Sequence, residues 1–143
     1  MNLNNEIRQI KNDSFPQLAW VYVRGIYVPD YEVLKNKHLA GINLDHTKRI
    51  FAGERLTFAM GFANIMIAQS LSSHYYYNQR KGIIAHELSH LLIQSSSEKQ
   101  VDDEAIRRGY AKEINCADRL KERLGLNRKF AGSYGSYELA SLV

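Results

Sequence analysis

His86, Glu87 and His90 stand in the order H-E-x-x-H within "IIAHELSHLLIQSSSEKQVDD", and carboxylates follow at Glu98, Asp102, Asp103 and Glu104. Two imidazoles four residues apart on a helix project from the same face, close enough to share one ion. Glu87 is turned from His86 by about 100°, so its carboxylate reaches a water on that ion more readily than the ion itself. The chemistry such a set serves is hydrolysis by a metal-activated water. Two neutral imidazoles hold zinc, one coordination position stays open, and the carboxylate takes the proton. The competing explanation is a core helix whose histidines are satisfied by hydrogen bonds while Glu87 faces solvent. Two features weigh against it. The spacing arises by chance on the order of once in a few hundred chains of this length. The flanking residues 83–92 are also uncharged apart from Glu87, and burying three such groups without partners is costly.

Zinc wants a third protein ligand. Position 93 is Ile and position 96 is Ser, so no histidine follows at the spacing H-E-x-x-H-x-x-G-x-x-H. A carboxylate must then serve. If the chain turns at residues 94–97, the next helix returns antiparallel, with its first turn beside His90 and its second beside His86. Glu98 and Asp102, four apart, share a face of that helix. Glu98 is then placed to bind metal, and Asp102 to accept a hydrogen bond from the far nitrogen of His86 and fix its tautomer. Asp102 is the alternative third ligand; Asp103 and Glu104 are expected in solvent. Glu98 also has a structural reading, as partner of Ser95 in a capping box.

"IIAHELSHLL" resembles the active-site helix of zincin metallopeptidases, a match confined to these residues. "EKQVD" is similar to the E-x-x-A-D stretch of gluzincins, including compact phage and bacterial domains of the ImmA/IrrE group, with Val101 in place of the usual Ala and a short interval from His90 to Glu98. The resemblance implies one Zn2+ on His86, His90 and Glu98, with Asp102 in support. It further implies Glu87 as general base and endopeptidase activity on a protein or peptide. By the same resemblance the strand before the active-site helix, "NIMIAQSL", is a sheet edge to which an extended substrate adds. His74, Tyr75, Tyr76, Tyr77 and Tyr110 are candidate donors to a developing oxyanion, while His38 and His46 are expected at the surface. The alternative is a non-catalytic zincin-fold protein that keeps its zinc. Glu87 argues against it, because a structural site needs no base and closes its fourth position with protein.

The elements that must position these residues follow from periodicity. Leu3, Ile7 and Ile10 mark a short amphipathic helix ending near Asp13. "LAWVYVRGIYV" reads as a strand, "PDYEVLKNKHLAG" as a turn and short helix, and "INLD", "RLTFAM" and "NIMIAQSL" as three strands separated by "HTKRIFAGE" and by Gly61 with Asn64. "SSHYYYNQRKG" reads as a polar and aromatic link before a buried helix from Ile83. Two further helices follow, broken at Gly109 and stopped at Gly125. The tail from about 126 has no clear period and is expected to be partly mobile. The expected fold is therefore α+β and zincin-like, with a small mixed sheet in the N-terminal half packed on the buried helix and the C-terminal helices.

With 143 residues, residues 1–143 are read as one domain. The formal charge of +4 is modest and its basic residues are scattered, so no nucleic-acid partner is expected. No apolar run approaches the roughly 20 residues of a membrane span, and "MNLNNEIRQIKND" lacks a secretory pattern. Cys116, without a disulfide partner, fits a reducing cytoplasmic setting.

Overall fold

The structure, a computed structural model, describes residues 2–94 and 97–126. In chain order it comprises α1 (Leu3–Ser14), β1 (Val21–Val28), α2 (Asp30–Leu34), β2 (Ala40–Ala52), β3 (Arg55–Ala68), α3 (Tyr77–Leu92), α4 (Glu98–Ala105) and α5 (Ala111–Arg123). A π-helical segment, Ile106–Tyr110, joins α4 to α5, and Gly109 within it has φ 104°. The fold is α+β with a three-stranded mixed sheet in the order β1-β3-β2, β1 parallel and β2 antiparallel to β3. The aperiodic tail and the capping residue Ser95 lie outside the described residues.

Two long strands replace the three short ones expected between residues 42 and 71. "RLTFAM" and "NIMIA" are one strand running through Gly61, which does not end it. Gly61 has φ +123°, and a Cβ there would sit 2.0 Å from the carbonyl oxygen of His46. The glycine permits close approach of β2 to β3. Most of "HTKRIFAGE" is likewise strand, paired from His46↔Phe62 to Ala52↔Arg55. Register shifts fall between Asn43 and His46 and between Ile50 and Phe51. At the second, Thr57 is the extra residue, and it turns Leu56 to the buried face although Phe58, Met60 and Phe62 face outward.

β3, which contains most of "NIMIAQSL", is the central strand, so the expectation that it forms an edge is corrected. Its periodicity could not reveal this, because pairing order is non-local. The edge on the side of α3 is β2. The inner face of the sheet is covered by α1 against β1 and by α3 against β2 and β3. Ile7, Phe15, Leu18, Ile65, Ile84 and Leu88 are fully buried between these layers.

α3 begins at Tyr77, well before Ile83. Its first turns look polar in sequence because Arg80 is buried among partners from elsewhere. Arg80 Nε donates to Glu6 Oε1 of α1 at 2.9 Å, and Nη1 donates to the carbonyls of Leu71 and Ser73. One turn on, Gly82 lets α5 approach, since a Cβ there would meet Glu113 O at 2.2 Å. Among the described residues no helix is long and apolar enough to cross a membrane.

Candidate metal centre

α3 is apolar on nearly every side, so it is buried nearly all round, and His86 and Glu87 are buried with it at 8% and 7% exposure. His90, one turn on, puts its ring 4.9 Å from that of His86, nearly perpendicular to it. The carbonyl of His90 accepts a hydrogen bond from Arg49 Nη1 of β2 at 2.9 Å, which ties the C-terminal end of α3 to the sheet edge. The chain then turns, and Ser97 caps α4, its hydroxyl accepting from the Gln100 N–H. Glu98 is the first residue of α4, where the unpaired N–H groups of a helix start favour a carboxylate.

This hairpin brings the three donor groups together. His86 Nε2 lies 2.7 Å from Glu98 Oε2, and His90 Nε2 lies 3.4 Å from Glu98 Oε1. One ligand atom from each of His86, His90 and Glu98 falls within 4.8 Å of the others. One turn along α4, Asp102 Oδ1 lies 2.7 Å from His86 Nδ1. Asp103 is exposed and pairs with Lys99. Glu104, expected in solvent, is buried at 7% exposure and ion-paired with Arg107 and Arg108. Those arginines stand three and four residues on, the helical spacing that brings charges together.

Both nitrogens of His86 thus face carboxylate oxygens. A neutral imidazole has one N–H. If Nδ1–H serves Asp102, the lone pair on Nε2 points at Glu98, and 2.7 Å between two acceptors requires a proton or a cation between them. Ligands about 2.0–2.1 Å from a tetrahedral zinc lie roughly 3.3 Å apart. The His90–Glu98 spacing already has that value, and the half-exposed Glu98 side chain is free to open the other. The residues present fit the ion.

The electrostatics of the metal-free groups follow the same geometry. Burial alone depresses the His86 pKa, but hydrogen bonds with Asp102 and Glu98 carry it up to about 9. Burial pushes Glu87 up to about 7, against the opposing charge of His86. The hydrogen bond from His86 draws Glu98 down to about 2. His90 is lowered by burial and by the neighbouring charge of His86.

The group opens into a cleft of about 440 Å³. One wall is the edge strand β2 from Ala40 to Leu44; the other is α5, with Ile114, Asp118 and Lys121. His38, also on the rim, is exposed as expected, yet partial burial and the charge of Lys121 lower its pKa. Sequence reasoning missed His38, Arg49, Asp118 and Lys121, which come from distant elements and carry no local motif. None of the aromatic candidates lines the cleft. Tyr75 is exposed, Tyr76 is fully buried, Tyr77 and His74 stack on one another, and Tyr110 is hydrogen-bonded to Ser14. A larger hollow of about 860 Å³ lies between the β2–β3 turn and α4 and includes no member of the metal group.

Comparison of the chain with family models, curated proteins and solved structures finds no match.

Proposed function

We propose that the protein is a zinc-dependent metallopeptidase of gluzincin-like type within a zincin-like fold, holding one ion on His86, His90 and Glu98. The observation that carries this reading is the convergence of those three donor groups at a cleft bordered by β2, an edge strand among the described residues, with Glu87 on the same helix. When bound, zinc supplies a Lewis acid for the scissile carbonyl and lowers the pKa of a water. Asp102 accepts the Nδ1–H of His86, so that the Nε2 lone pair faces the ligand position. Glu87 takes the proton of the attacking water and returns it to the leaving amine. The outer edge of β2 offers backbone groups to an extended peptide, while Leu39, Ile42 and Ile83 give the cleft an apolar lining for its side chains. A reducing, cytoplasmic setting belongs to the same proposal, supported by the single cysteine.

The test is elemental analysis of purified protein together with hydrolysis of a quenched-fluorescence peptide library. Near-stoichiometric zinc and hydrolysis are expected in the wild type. Glu87→Gln should keep the zinc and lose about 10²–10⁴-fold in rate, and Glu98→Ala should lose both. Absence of zinc from every preparation, even after supplementation, would sink the reading. Zinc without hydrolysis in the wild type would leave a non-catalytic metal module.

A further inference from the structure

The outer face of the sheet carries nothing among the described residues, yet it is built like an interior. Tyr22 and Phe62, cross-strand neighbours whose rings meet edge to face at 6.1 Å, are each 61% exposed. Around them Trp20 is 73% exposed, Ile50 58%, Met60 50% and Phe58 40%. Aromatic side chains of this kind can bury about 150–250 Å² each, so the four rings at these exposures present about 500 Å². Contiguous apolar patches of that size mark interaction sites. With Met60, Ile50 and the polar flanks added, the face approaches the roughly 800 Å² per partner of a standard interface.

Register places these residues in rows. Tyr22, Phe62 and His46 form one row; Met60 and Lys48, beside Trp20 at the entry to β1, form the next; Arg24, Asn64 and Asn43 form a third. We infer that this face joins a second copy of the chain, sheet against sheet, about a two-fold axis running along β3. That rotation keeps each row opposite itself and exchanges β1 with β2. Phe62 and Met60 then meet their own counterparts at the axis. Trp20 faces the partner's Lys48, a cation–π pairing; Tyr22 faces the partner's His46, and Arg24 faces the partner's Asn43. The basic side chains in these rows, Arg24, His46 and Lys48, meet rings and amides, never one another. A two-fold axis across the strands, midway between the Phe62 and Met60 rows, would instead set Lys48 against the partner's His46. Aligned packing of two twisted sheets accommodates the arrangement.

The experiment is sedimentation velocity of the full chain from low to high micromolar concentration, beside Phe62→Glu, whose exposed position spares the fold. The wild type should form a dimer, with Trp20 emission shifting to the blue as it does, and Phe62→Glu should weaken it by about a hundredfold or more. In a Cys116→Ser background, Met60→Cys should cross-link to itself through a short bismaleimide and Arg24→Cys should not. A monomer throughout the range overturns the proposal. A dimer indifferent to Phe62→Glu assigns association to another face and overturns it equally, and cross-linking at Arg24 in place of Met60 overturns the axis.

Discussion

At the scale of the residue, the centre depends on which proton His86 carries and where. In the metal-free protein its pKa of about 9 means that an ion entering at neutral pH must displace a proton from Nε2. Apparent zinc affinity should therefore rise about tenfold per pH unit towards about pH 9 and flatten above it, as read by competition with a chromophoric chelator. The same shift fixes a sign for stability. The folded pKa lies above the ordinary value of about 6.5, so the stabilisation is complete below that value and is lost as pH rises through about 9. Thermal melts of zinc-free protein across that range should show the loss. With zinc bound as proposed, Asp102→Asn leaves His86, His90 and Glu98 in place but removes the anion at Nδ1, and should lower zinc affinity about 10–100-fold. The approach of His86, His90, Glu98 and Asp102 was legible in sequence because two helical periods and one reversal suffice to derive it. Lys121 and His38 reach the cleft only through tertiary packing, and the burial of Glu104 rests on its pairing with Arg107 and Arg108, which the spacing of the metal group does not announce.

At the scale of the element, the apolar run announces α3 but not its start at Tyr77, since Arg80 reads as surface until its partners on α1 and in the preceding loop are known. Gly82 likewise reads as a break, although it is the contact point of α3 with α5. Gly82→Ala places a methyl against the backbone of Glu113, which cannot move without displacing α5. A loss of about 1–3 kcal/mol is expected from denaturant titration, with the ligand spacing within α3 unchanged. The length of β3 is hidden for a related reason: Gly61 signals a turn locally, and only its pairing with Thr47, which brings the His46 carbonyl against it, makes it a site of close approach.

Across the whole molecule, composition and the change of period sufficed for an α+β domain, but not for strand order, which rests on the parallel pairing of β1 with β3 across two intervening elements. The first helix is joined to this core by more than apolar contact. Glu6 and Arg80 form an ion pair with side-chain exposures of 3% and 5%. Removing one partner leaves the other charge buried, so Glu6→Gln should cost about 3–5 kcal/mol, measured by chemical denaturation. The double variant Glu6→Leu/Arg80→Met should recover part of that loss.

The turn between α3 and α4 has a consequence of another kind. Only seven residues, 91–97, separate His90 from Glu98. An ion gripping both closes a small ring, and the closure of a small ring withdraws few conformations from an unfolded chain. Bound as proposed, zinc would stabilise the fold through the strength of its bonds to these side chains, with little contribution from chain topology. Chelation should therefore leave one cooperative unfolding transition at a lower midpoint, while amide exchange quickens first in the small ring that the ion had held closed.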